Sequence, residues 1–153
     1  MKVLYFIFAF IVFVNTAFSQ MTVNSAFTPM DYALELVGPG ITISNVTFTG
    51  ANAQIGIFDG STSNVGFDGG VVISAGPVNG LIGGAATQDA GQPGGSGLAD
   101  NDLLTVAQSV NPAINSTSDA AFLEFDFVPS SNVASFNFVF SSDEYLTYVN
   151  TVF

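Results

Sequence analysis

The chain has 153 residues, with twelve acidic side chains, a single base at Lys2, and no histidine or cysteine. This composition excludes Ser-His-Asp and Cys-His nucleophiles, imidazole and thiolate metal sites, lysine Schiff bases and any disulfide framework. Nucleic-acid binding is excluded too, because phosphate contacts need Lys or Arg, and what remains is carboxylate, amide and hydroxyl chemistry on an apolar, glycine-rich scaffold.

Residues 1–19 read as a secretory signal peptide. Lys2 is a minimal positive start, Val3 to Val14 is apolar, and Ala17-Phe18-Ser19 places small residues for cleavage after Ser19. The alternative, a membrane anchor, is too short: twelve residues span about 18 Å as a helix against a hydrocarbon core of roughly 30 Å. From Gln20 onward the chain carries all twelve carboxylates and no side-chain cation. Each acid must therefore be solvated, bonded to backbone N–H groups, or neutralised by a bound cation. No membrane span is expected once the leader is removed.

Residues 20–153 are expected to form one β-rich domain. Thr28-Pro29-Met30-Asp31 opens a short helix, with Thr28 as cap, Pro29 at the first helical position and Asp31 in the positive first turn. Gly38-Pro39-Gly40 should end it, glycine taking the left-handed cap. Ile41 to Thr49 reads as a strand in two phases, Ile41 and Ile43 on one face and Val46 and Phe48 on the other. A bulge near Asn45 reconciles them. Gly50-Ala51-Asn52 is a turn, Gln54 to Phe58 a strand, Asp59 to Asn64 a turn, and Val71 to Ser74 a buried strand.

Residues 76–97 hold eight glycines with Pro77 and Pro93, and read as a long surface loop. Without a Gly-Lys-Ser/Thr step, it is no phosphate loop. Leu98 to Gln108 has helical spacing, with Leu103, Val106 and Ala107 on one side, Asp100 or Asn101 as cap, and Asn111-Pro112 as stop. Ala121 to Val128 and Ala134 to Phe140 both alternate and are joined by Pro129-Ser130-Ser131-Asn132, which predicts an antiparallel hairpin. Its core face would hold Leu123, Phe125, Phe127, Phe136, Phe138 and Phe140. Asp143 to Asn150 could add a helical turn or two. The fold class expected is mainly β: an antiparallel, jelly-roll-like β-sandwich with one or two short helices.

Several of these stretches, taken together, resemble a known family. They are Val71-Val72-Ile73-Ser74-Ala75-Gly76, then Asp100-Asn101-Asp102-Leu103, then Asp119 through Pro129 with its Leu-Glu-Phe-Asp-Phe-Val-Pro core. The last is Phe136-Asn137-Phe138-Val139-Phe140-Ser141-Ser142-Asp143-Glu144-Tyr145, followed by Tyr148-Val149-Asn150. This order is similar to the choice-of-anchor L domain, over roughly Met30 to Phe153. The resemblance implies an exported bacterial β-rich surface module, plausibly adhesive, without established catalytic activity. Family members usually continue after this last motif with Asn-Asp-Xaa-Phe and further strands, where this chain has Thr151-Val152-Phe153. The domain is therefore expected to be incomplete at its C-terminus; a complete chain would leave an open sheet edge liable to association.

The acidic groups admit two readings each. Asp100 and Asp102 begin a helix, as caps or as cation ligands. Glu124 and Asp126 lie two apart on a strand, about 7 Å at strand spacing, either solvated or holding a metal. With Asp119, Asp143 and Glu144 they form the candidate Ca²⁺ set: oxygen-only ligands, no compensating base, and an extracellular setting. The same carboxylates could hydrolyse glycosides, a reading ranked behind carbohydrate binding beside Tyr145 and Tyr148, for both of which core packing is the plainer expectation. Asn45-Val46-Thr47 and Asn115-Ser116-Thr117 match the glycosylation triplet, a pattern common by chance. The function expected is a non-enzymatic, extracellular or cell-surface module for adhesion or display, its partner a glycan or protein. The alternative is a carbohydrate-binding module of a secreted glycan-processing protein.

Overall fold

A computed structural model describes residues 21–81 and 95–142. The expected leader, the centre of the expected glycine-rich loop and the expected helical turns from Asp143 onward, with Tyr145 and Tyr148, lie outside the described residues. In chain order the elements are β1 (Thr22–Asn24), α1 (Pro29–Leu36), β2 (Thr42–Thr49), a 3₁₀ turn at Asn52–Gln54, β3 (Ile55–Asp59), β4 (Gly69–Ile73), a 3₁₀ turn at Val78–Leu81, α2 (Asn101–Val110) and β5 (Phe122–Val128). They form two antiparallel sheets, one of order β1-β3-β4 and one of order β2-β5. The protein is mainly β with two short helices. No described helix is long and apolar enough to cross a membrane.

Helix α1 starts as its sequence dictates. The Asp31 N–H donates to the Thr28 hydroxyl, while the Thr28 N–H and hydroxyl both donate to Asp31 Oδ2, at 2.9 and 2.6 Å. Its end differs from the expectation: Val37 closes the helix in an extended conformation, and the left-handed glycine is Gly40, farther on at φ +84°. The chain leaves the helix at Val37, and Pro39 keeps the residue ahead of it, Gly38, from resuming the helix. Buried Tyr32 and Ala33 turn inward from α1, which touches β2, β3, β4 and β5 and so bridges the two sheets. Ile55, Phe58, Val78 and Ala120 are the other buried apolar side chains among the described residues.

The Asp31 carboxyl is held below its ordinary range by the Thr28 hydroxyl and then the Thr28 N–H. A lowered folded value means that the cap stabilises above the ordinary carboxyl range and is lost as pH falls through the lowered value. Asp31→Asn should therefore melt below the parent at neutral pH, with the gap closing in strong acid. Thermal melts followed by circular dichroism across pH test this, and a pH-independent gap would reject the cap as its cause.

Strand β2 contains the expected irregularity. Ser44 pairs with Asp126 and Thr47 with Glu124, so Asn45 and Val46 together oppose Phe125. Asn45 adopts φ +52°, which asparagine tolerates better than a β-branched residue. The extra residue changes the phase, so Ile43, Val46 and Phe48 are all half-buried while Ser44, Asn45 and Thr47 are exposed.

Two expectations are corrected. The hairpin between 121–128 and 134–140 does not form: β5 pairs with β2, and residues 134–140 belong to no strand. Leu123, Phe125 and Phe127 are half-buried as expected, but Phe136, Phe138 and Phe140 are 66, 83 and 85% exposed. Local alternation sets which residues share a face, whereas the choice of neighbouring strand is made by tertiary contacts. In α2, the half-buried side holds Leu104 and Ala107, with Leu103 and Val106 exposed. Polar ties set this rotation. The Asp100 N–H donates to Thr117 Oγ1 at 2.9 Å, the Thr117 hydroxyl returns to the Asp100 carbonyl at 3.0 Å, and Gln108 Nε2 donates to the Ile114 carbonyl at 2.9 Å.

Candidate functional site

The outward face of the β2-β5 sheet carries Ser44, Asn45 and Thr47 from one strand and Glu124 and Asp126 from the other, all exposed. Alternation along β5 places both acids outward, and the β2 bulge aims Asn45 at them. Asn45 Nδ2 donates to Asp126 Oδ2 at 2.6 Å, bridging the two strands from side chain to side chain. An open groove of about 610 Å³ runs along β5 and takes walls from both of its faces, Asn45, Thr47, Glu124 and Asp126 from the outward one and Leu123, Phe125 and Phe127 from the other, with Phe136 beside them. The Phe136 ring meets Phe127 edge-on, centroids 6.4 Å apart. An amide, a hydroxyl and two carboxylates beside aromatic rings are the chemistry of polar-ligand recognition.

The remaining sequence-predicted acids are elsewhere. Asp100 caps α2, its Oδ1 accepting from the Leu103 N–H at 2.7 Å, and Asp102 lies in the first turn of that helix. Asp119 has φ +59°, and its Oδ1 accepts from the Gly97 N–H at 2.8 Å. Among the described residues no three acids gather closely enough to hold a metal. Asp143 and Glu144, the other two members of the Ca²⁺ set, lie outside the described residues.

Asn45 is a site residue that the sequence signalled only as a bulge and a glycosylation triplet. Its partner, Asp126, is 81 positions away, beyond any local pattern. Asn45→Gly should preserve the bulge and lose the bridge. Asn45→Val should cost about 1–2 kcal/mol more through its left-handed backbone. Urea midpoints of the two variants measure that difference, and equal midpoints would remove the backbone's part.

Gln54 is the second residue the sequence did not single out. Its side chain is fully buried. Oε1 accepts from the Ala51 N–H at 2.7 Å, and Nε2 lies 2.8, 2.9 and 3.2 Å from the carbonyls of Asp119, Ala75 and Ser74. It ties the end of β4 to the approach of β5, and so sets where the acidic face begins. A lone glutamine at a strand start carries no signal of this kind.

The family model described as Choice-of-anchor L domain matches residues 20–153. No curated protein and no solved structure matches the chain.

Proposed function

The chain belongs to the choice-of-anchor L domain family, and from that premise we propose that it is an exported module that acts by contact, in adhesion or surface display, and not by catalytic turnover. Membership of this family points to a surface-associated protein. The observation that carries the finer reading is the open polar face of the β2-β5 sheet, where Asn45 is pinned to Asp126 beside exposed Glu124. Nothing on this face is a strong nucleophile, and the composition supplies neither histidine nor cysteine to make one. The leader-like residues 1–19 support export.

One feature of the groove favours carbohydrate as the ligand. Amide and carboxylate groups stand beside the Phe127 and Phe136 rings, an arrangement suited to hydroxyl-rich rings with apolar faces. Screening the purified chain on a glycan array, with Asp126→Asn and Asn45→Ala as controls, tests both readings. Capture of one glycan class, weakened about tenfold or more by either variant, supports the carbohydrate reading. Binding to host or cell-surface protein alone leaves adhesion and removes the glycan. Hydrolysis of a bound glycan, abolished by a single carboxylate substitution, would overturn the contact reading.

Calcium belongs to the same proposal as a stabiliser. Some of Asp119, Glu124, Asp126, Asp143 and Glu144 would supply its hard oxygen ligands, the exposed Glu124 and Asp126 of the β2-β5 face first among them. Titration of the apo protein with Ca²⁺ should raise its melting temperature. An unchanged melt together with no binding heat rejects calcium without touching the adhesion reading.

A further inference from the structure

In the sheet of order β2-β5, β5 is an edge strand, with no strand on its other side among the described residues. A hollow of about 220 Å³ lies between the end of α1 and β5, with Leu36, Val37, Ile41, Phe125, Phe127 and Phe136 among its walls. The segment 134–140 stands in solvent with Phe136, Phe138 and Phe140 largely uncovered. A free strand edge and an uncovered alternating segment of equal length, seven residues each, are complementary halves of one sheet.

We propose that segment 134–140 of a second copy of this chain adds to the free edge of β5, two copies exchanging this strand reciprocally. Three observations select this occupant. The first is pattern. In an antiparallel alignment Phe136 and Phe138 fall beside Phe125 and Leu123, while Ser135 and Asn137 fall on the face of Asp126 and Glu124. The Phe127–Phe136 edge-on contact already shows that the apolar row of β5 accepts this ring.

The second is charge. A chain with a net charge of −11 repels most of its own surface, yet residues 129–142 contain no acid. This stretch can approach Glu124 and Asp126 without like-charge cost. The third is area. Three phenylalanines, at about 150–250 Å² each, bring roughly 450–750 Å² per copy. Doubled, that enters the range of about 1,200–2,000 Å² typical of stable interfaces. Within one chain the segment meets β5 only through the Phe127–Phe136 ring contact and pairs with no strand, leaving Phe138 and Phe140 83 and 85% exposed. Exchange between copies is the route by which such a segment reaches an edge it does not pair with in its own chain.

Sedimentation of the full chain, from low to high micromolar concentration and at low and high salt, reads the association. The expected result is a dimer that tightens with salt, because screening weakens repulsion between the acidic bodies. Asn137→Pro removes a ladder N–H at an exposed position, and Phe138→Ser removes a ring. Each should weaken the dimer about tenfold or more, with the circular dichroism of the monomer unchanged. Since the chain has no cysteine, Glu124→Cys and Asn137→Cys made in separate chains and mixed should form an inter-chain disulfide. A monomer under all conditions would overturn the proposal. So would a disulfide formed only within a chain carrying both cysteines, or a dimer indifferent to Asn137→Pro. Glycan capture reads the function proposed above independently of these outcomes.

Discussion

Replacing Gln54 by glutamate should lower the stability of the fold by about 3–5 kcal/mol, because an uncompensated buried charge replaces a buried amide. Gln54 Nε2 faces three backbone carbonyls, those of Ser74, Ala75 and Asp119. A carboxylate there meets acceptors with no proton to offer, in a site closed to water. Domains of this size have only about 5–15 kcal/mol in total, so the variant should melt roughly 10 °C lower or more. The substitution also has a signature in pH. Burial and the facing carbonyls raise the folded carboxyl's pKa, so part of the lost stability returns as pH falls through that raised value, when the neutral acid donates one hydrogen bond.

Gln54→Leu separates hydrogen bonding from charge. It leaves the Ala51 N–H and the carbonyls unpaired, at about 1–3 kcal/mol for each group left unsatisfied, without a pH-dependent recovery. Thermal melts of parent and both variants across pH make the test. A Gln54→Glu protein that melts with the parent at neutral pH would show that water reaches the junction and that Gln54 is not its clasp.

Ile55→Ala should cost about 2–5 kcal/mol through lost burial and the cavity left behind. Ile55 is among the largest fully buried side chains, on the central strand of the β1-β3-β4 sheet and next to the Gln54 junction. Only Tyr32, Ala33, Phe58, Val78 and Ala120 are also buried among the apolar side chains of the described residues. Ile55→Val, by comparison, should cost only about 0.5–1.5 kcal/mol. Phe138→Ala is the informative contrast. Its ring is larger but 83% exposed, so the monomer's urea midpoint should not move. Equal losses for Ile55→Ala and Phe138→Ala would mean that segment 134–140 is packed within its own chain.

The local signals in the sequence were strong wherever a few neighbouring residues carry the whole cause. Thr28 and Asp31 cap α1 on themselves, and Asp100 caps α2 through Leu103. The β2 bulge was legible because Ile43 and Val46 can share a face only if one residue is extra. The acids of β5 were likewise legible as outward, since alternation requires it. Partner choice was not. The alternation of 134–140 says that these phenylalanines share a face, and it says nothing of which edge they meet.

By itself, the sequence determined the chemistry available to this protein: twelve acids against the single base Lys2, no histidine or thiol, two capped helices and strands of known facing. Those properties reside in composition and in contacts a few residues apart, which a linear pattern records. Only the tertiary structure decided that β5 lies against β2, that Asn45 meets Asp126, and that Gln54 clasps the ends of distant segments. Such pairings follow from long-range burial and backbone hydrogen-bond satisfaction, which depend on where the whole chain is and leave no periodic trace in it.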